Sequence, residues 1–292
     1  MRTFREAIQR QRFTITADLT LKSDSDADEL ARQAELLGPY VDGLQVTDNP
    51  WTWVQMSAVA AASLLLHQGI DPIAVVTCRD RNRIALASDL LGLRALGVTS
   101  VLLMRGHNIP PGHAIKAAEV FDSDRRELVE LAAGMGRNDP SSDAEAFFIG
   151  VGARVFRPPP GWDAGSLQLR AQAGARFLQT QLCFNLTTLR QYMRCLVATR
   201  TTWNYSVIVS LTVLPSAATA RWVKQNLGDA RIPAALVKRL ERAADPLQEG
   251  IALCAEMMRE MAEIPGICGV NLVTMGDPQS LREAIKASGL RG

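Results

Sequence analysis

Eight short apolar runs of β-type composition, separated by stretches with helical spacing, constrain this chain more than any other feature. They are TITADLT (14–20), DGLQVT (42–47), PIAVVT (72–77), SVLLM (100–104), FFIGVGA (147–153), FLQTQL (177–182), YSVIVSL (205–211) and ICGVNLV (267–273). Helix-period patterns fall at 25–37, where Ala27, Leu30, Ala31 and Ala34 share a face, and at 81–96, 124–135, 164–174 and 186–199. Such alternation predicts parallel strands, each with a partner helix. Eight of them in 292 residues, with no composition break, predict a single-domain (β/α)8 TIM barrel over 1–292 rather than an open doubly wound sheet.

Composition narrows the function classes. The chain is 47% hydrophobic and 21% charged, with 32 basic and 30 acidic residues and a net charge of +2, and no run of like charge suited to nucleic acid or a polybasic anchor. Five scattered cysteines offer neither a C-x-x-C pair nor a disulfide framework, which points to a reducing cytoplasm. The histidines His67, His107 and His113 have no metal-ligand spacing, so no metal is expected. The opening MRTFREAIQRQRF lacks the apolar core of a signal peptide, and Phe4, Ala7 and Ile8 predict a short amphipathic helix. MSAVAAASLLL (56–66) is too short to cross a bilayer and reads as a buried helix. NDPSSDAE (138–145) and FRPPPGW (156–162) read as loops, the second because three prolines cannot enter a helix interior or a central strand.

In a barrel of this kind chemistry sits at the C-terminal ends of the strands, so the polar residue closing each run is a candidate. These are Asp18, Thr47 with Asp48, Thr77, Arg105 with His107, Arg154, Gln181, Ser210 and Asn271. Asp18 interrupts a strand pattern where a carboxylate is either paired or isolated so that its pKa rises; bonding to backbone amides at a turn is the structural alternative. Gln179 and Gln181 share parity and face the interior or the mouth, where an amide suits a heterocycle or a polar pairing between strands. GVGARV (150–155) is not a dinucleotide fingerprint, because no third glycine follows and Pro158–Pro160 block the required helix. No G-x-S-x-G elbow supports serine hydrolysis.

Taken in order, these strand ends resemble the catalytic domain of methylenetetrahydrofolate reductase. TADLTL (16–21) stands where the family has a strand with a glutamate. LQVTDN (44–49), VVTC (75–78) and GVTSVLLMRGH (97–107) match its second, third and fourth strands, the last ending in R-G-D in the family. RAQAGARFLQTQLCFN (170–185) resembles the most specific block, and ARIPAAL (230–236) an R-I-P segment. The resemblance implies a barrel that carries FAD, takes electrons from NAD(P)H and converts 5,10-methylenetetrahydrofolate to 5-methyltetrahydrofolate. It places Thr47, Thr77, Arg105, Gly106, His107, Arg154 and Arg170 on the flavin, with Arg170 replacing a phosphate-binding lysine and Gly106 letting the backbone approach a flat ligand. Gln181 would bind the pterin, and Asp18 would protonate the folate nitrogen.

The departures carry their own expectations. Aspartate for glutamate shortens the acid's reach by one methylene. Val75 replaces a histidine, and the segment after the seventh strand, TVLPSAATARW (212–222), reads as a loop without the family's stacking aromatic. NLVTMGD (271–277) lacks the usual arginine, so NAD(P)H use is less secure than flavin binding. His107 replaces an aspartate near the flavin's pyrimidine edge, removing a negative charge that opposes reduction. That exchange implies a flavin easier to reduce and an enzyme suited to oxidising 5-methyltetrahydrofolate in methyl catabolism. Two alternatives are a flavin-free or NAD(P)H-independent relative serving a redox partner protein, and a folate-binding module without turnover. Association as a homo-oligomer is compatible with either.

Overall fold

The computed structural model describes residues 3–10, 12–135, 146–275 and 277–291. Its strands are β1 (Thr14–Asp18), β2 (Gly43–Val46), β3 (Pro72–Thr77), β4 (Ser100–Met104), β5 (Phe148–Ala153), β6 (Phe177–Leu182), β7 (Ser206–Leu211) and β8 (Ile267–Leu272). All pair in parallel and in sequence order, and β8 closes on β1. The expected barrel is therefore the fold.

Helices α1 (Phe4–Gln9), α2 (Ala27–Leu37), α3 (Ala58–His67), α4 (Arg83–Leu96), α5 (Arg125–Gly134), α6 (Gly165–Ala173) and α7 (Leu186–Ala198) lie where their spacing predicts. Their starts fall where side chains cap free amides: Asp26 accepts from Glu29, Asn82 from Ala85, Asp124 from Arg126 and Glu127, and Asn185 from Thr188. The first strand is shorter than its apolar run. Beyond Asp18 the chain turns to Gln33, whose amide exchanges two 2.8 Å hydrogen bonds with the Thr20 backbone and so ends the ladder.

Segment 212–222 corrects the loop expectation, because α8 (Ala217–Asn226) begins within it, capped by Ser216. Helices α9 (Ala234–Arg242), α10 (Pro246–Ala262) and α11 (Pro278–Ser288) complete the ring. Residues 156–162 form neither helix nor strand, as their prolines dictate, while the expected loop at 138–145 lies outside the described residues. Among the described residues no helix is long and apolar enough to cross a membrane.

Period-two alternation sorts the strands. Ile15, Ala17, Leu44, Val46, Val101, Leu103, Val207 and Val209 face the helices in one large core. Inside the barrel a second apolar cluster of Ile73, Val75, Leu102, Phe177 and Ile208 is closed from below by Phe4 of α1, whose ring meets Phe177 edge-on at 5.2 Å. The Phe177 ring fits because β5 is bare at Gly150, where a Cβ would lie 2.1 Å from it. Above this plug the interior becomes polar, with Thr16, Asp18, Gln45, Gln179, Ser210 and Asn271 all buried. A floor of packed rings beneath a polar upper chamber fixes where chemistry can occur.

Candidate active site at the barrel mouth

Asp18 closes β1 inside the barrel with only 8% of its surface exposed. Asn271 Nδ2 donates to its carboxylate Oδ1 at 2.9 Å, while the Thr274 hydroxyl donates to its backbone carbonyl at 2.5 Å. Burial lifts its pKa from 3.8 to about 7, only partly opposed by the Asn271 bond, and no charged group figures among the causes. Of the two outcomes open to this residue, the structure shows the isolated acid rather than the ion pair.

One strand over, the side chains are committed to each other. The Thr47 hydroxyl lies 3.1 Å from Gln55 Oε1. Asp48 accepts from the Thr77 amide and hydroxyl, both at 2.8 Å, and from the Arg81 guanidinium. Arg81 also reaches Asp89 at 2.6 Å, and it is held above its ordinary value because these two carboxylates overcome the burial that works against its charge. Arg79 is buried under the β4 loop, donating to the backbone carbonyls of Asn49 and His107 and pairing with Asp80. Its stem explains Gly106: the residue has φ +85°, and a Cβ there would lie 2.9 Å from Arg79 Cβ. The close approach expected at this glycine is thus made to the protein's own arginine.

His107 stacks near Trp51, ring centroids 6.4 Å apart, and burial and then the Arg79 charge push its pKa down, leaving it neutral at pH 7. Gln181 spends its amide on backbone: Oε1 accepts from Val155 N at 2.9 Å, and Nε2 donates to the carbonyls of Val155 and Asp229. Arg154 pairs with Asp229 at 2.8 Å, both partners exposed. His67 ends α3, bonded to the Ser63 carbonyl, and His113 bonds within its own turn. Among the described residues, no three acidic, histidine or cysteine side chains gather as a metal site.

The FAD that the resemblance implies carries a diphosphate, for which cations are present. Arg170, on α6, donates to the Gly152 carbonyl at 3.2 Å, and its pKa is lowered by burial and then by the neighbouring Arg125. Two half-buried guanidiniums that repel one another favour an anion between or beside them. Arg105 lies exposed at the end of β4, its guanidinium 3.9 Å above the Phe121 ring and bonded to Asn108. Arg105, Arg125 and Arg170 are the cations available to such a diphosphate, and Thr47 and His107 lie near the mouth, whereas Thr77 is engaged by Asp48, Gly106 is packed on Arg79 and Arg154 is paired with Asp229.

The family profile of methylenetetrahydrofolate reductase matches residues 3–289. The chain belongs to this family. A curated relative, a probable methylenetetrahydrofolate reductase (NADPH) of Caenorhabditis elegans, is 27% identical over 245 residues, covering 81% of this chain and 35% of its own length. The chain thus spans about a third of that relative. Among solved structures, a protein from Clostridium thermocellum that binds two copies of 5-methyl-5,6,7,8-tetrahydrofolic acid is similar with a TM-score of 0.65 at 14% identity, covering 97% of this chain and 96% of that one. At that identity the likeness is one of fold.

Sequence reasoning passed over Gln45, Arg79, Arg81 and Arg125. Gln45 had a legible signal, since a buried-strand run GLQV carries a glutamine on the same face as Thr47. The arginines had none, because Arg79 and Arg81 read as local partners of Asp80 and Asp89, while their contacts with Asn49, His107 and Asp48 form only in the folded chain.

Proposed function

We propose that this methylenetetrahydrofolate reductase family member interconverts 5,10-methylenetetrahydrofolate and 5-methyltetrahydrofolate, with Asp18 as the acid–base group. The observation that carries the reading is a buried carboxyl, free of any ionic partner, whose pKa is lifted to about 7 at the C-terminal end of β1. Near neutral pH such a group both holds and releases a proton, as a general acid must. In the reductive direction Asp18 gives its proton to the substrate's N10 as the C–N10 bond breaks, and the methylene carbon, now an iminium on N5, accepts a hydride to become the methyl group. In the reverse direction the methyl carbon first gives up a hydride to become the N5 iminium, N10 then closes on that carbon, and Asp18 takes the N10 proton back.

FAD, when bound, supplies the hydride chemistry, with NAD(P)H as the electron donor in the reductive direction. The protein supplies place and field. Arg105, Arg125 and Arg170 offer cationic donors to the diphosphate, and at the mouth Gln181, both of its amide hydrogens given to backbone, keeps one Oε1 lone pair for a donor of the pterin. A neutral His107 withholds the negative charge that an aspartate would bring, which favours flavin reduction and hence oxidation of 5-methyltetrahydrofolate. The Clostridium protein, which shares the architecture, binds 5-methyl-5,6,7,8-tetrahydrofolic acid, and a folate substrate here is consistent with that.

A second reading has two observations in its favour. The Thr77 hydroxyl is engaged by Asp48, and the face of Gly106 is filled by Arg79, which leaves less room for a flavin than the resemblance implies. A flavin-free relative that draws electrons from a partner protein, or binds folate without turnover, would look like this. Anaerobic mixing of the FAD-reconstituted protein with 5-methyltetrahydrofolate separates them: bleaching of the flavin with formation of the methylene product is expected, and folate binding without bleaching would overturn the redox reading.

A further inference from the structure

We propose that Gln45 and Asn271 are positioning residues that bracket the two protonation states of Asp18, Gln45 accepting the proton of the acid and Asn271 donating to the carboxylate. The proposal rests on the reading of Asp18 as the proton-holding group, and its grounds are geometric. Asn271 is fully buried, and its amide orientation is set from below: the Thr16 hydroxyl donates to Asn271 Oδ1 at 2.8 Å, which turns Nδ2 toward Asp18 Oδ1 at 2.9 Å. The two contacts form a short relay inside the barrel, running from β1 to β8 and back, and Thr16 and Asn271 are register partners.

Asn271 therefore presents a donor to one carboxyl oxygen, and a donor stabilises the charged form. The proton of the neutral acid belongs on the other oxygen, where it needs an acceptor. Gln45 is the register partner of Asp18 on the neighbouring strand β2 and lies on the same inward face. It is 3% exposed, and its Oε1 is buried with no donor in reach. An acceptor left bare in a barrel interior is rare, because a buried polar group without a partner is costly. A protonated Asp18 supplies the missing donor.

The polar groups placed at the carboxyl are Gln45 from β2 and Asn271 from β8, the latter oriented by Thr16, with Thr274 bonded to the Asp18 backbone carbonyl and no charged side chain acting on the acid. None of them titrates. The balance between the two amides, on top of burial, then sets where Asp18 releases its proton. When the proton leaves for a substrate nitrogen, the Gln45 contact is lost and the Asn271 contact strengthens, so neither state is abandoned.

The test is a carboxyl-carbon NMR titration of the whole chain labelled at aspartate, without folate or flavin, with Asp18 assigned by its loss in Asp18→Asn. Gln45→Leu is expected to lower the Asp18 midpoint and Asn271→Leu to raise it, each by up to about one pH unit, a change of up to tenfold in the proton affinity. Thr16→Val, which removes the group that orients Asn271, raises it by less. An unmoved or raised midpoint in Gln45→Leu overturns the proposal, as does a lowered one in Asn271→Leu. If Gln45→Leu does not fold, Gln45→Met, closer in shape, carries the same expectation. A purely structural role would lower stability without moving the midpoints in opposite directions. Because the titration needs no ligand, opposed shifts in a protein that fails the flavin-bleaching test would sustain the bracket and remove only the redox reading.

Discussion

Asp18 ends β1 and Asp48 lies two residues past the end of neighbouring β2, and both are buried, at 8% and 7% exposure, yet their surroundings differ in kind. Asp48 is surrounded by an amide, a hydroxyl and a guanidinium, and it ties the loop after β2 to the end of β3 and to the segment entering α4. Asp18 has one amide donor on its carboxylate and no cation. A buried carboxylate with its counter-charge is a structural joint, because separating the pair would strand a charge. A buried carboxyl without one keeps its proton close to neutral pH, which is of no structural benefit but useful in proton transfer.

The largest expected effect is on turnover. Asp18→Asn should reduce folate turnover by roughly 10²–10⁴-fold while the fold persists, measured by single-turnover kinetics. The same variant has a stability signature with a definite sign. The pKa of Asp18 is raised on folding from 3.8 to about 7, so its favourable contribution is full below about pH 4 and is lost as pH rises through about 7. Thermal melts should therefore show Asp18→Asn gaining on the wild type between pH 5 and pH 8.

Asp48→Ala should behave oppositely, losing about 3 kcal/mol in urea unfolding, because the buried Thr77 amide and hydroxyl lose their acceptor and Arg81 keeps Asp89 alone. Gly106→Ala comes next, at about 1–3 kcal/mol, since it combines a left-handed φ with a clash against Arg79. Arg170→Ala should weaken flavin binding about tenfold by calorimetry with little change in melting temperature, consistent with a charged hydrogen bond of roughly 1.5 kcal/mol.

Much of this architecture was legible because β-strand alternation and helix capping are local. Asp18 stands out as the polar residue in the first strand run, and apolar spacing marks the helices at 25–37, 81–96, 124–135 and 186–199, whose starts the structure caps with Asp26, Asn82, Asp124 and Asn185. The segment after β7 misled, since Pro215, Ser216 and a run of small residues suggest a loop, while Ser216 in fact caps α8. The environment of Asp18 was not legible, because Asn271 reaches it across 253 residues and Gln45 across the β1–β2 pairing. Gln181 shows the limit of residue-by-residue transfer: its position at the mouth was readable from β6, but its engagement with Val155 and Asp229 depends on loops that meet only in the folded chain.

The central claim is that Asp18 delivers a proton with a pKa near neutrality. The most direct measurement is the pH dependence of kcat/KM for reduction of 5,10-methylenetetrahydrofolate by the FAD-reconstituted chain, compared with Asp18→Glu and Asp18→Asn. The account predicts a rate that falls as pH rises through about 7, a limb that moves in Asp18→Glu and disappears with most of the activity in Asp18→Asn. A rate that is flat from pH 6 to pH 9, or a limb unchanged in Asp18→Asn, would contradict it.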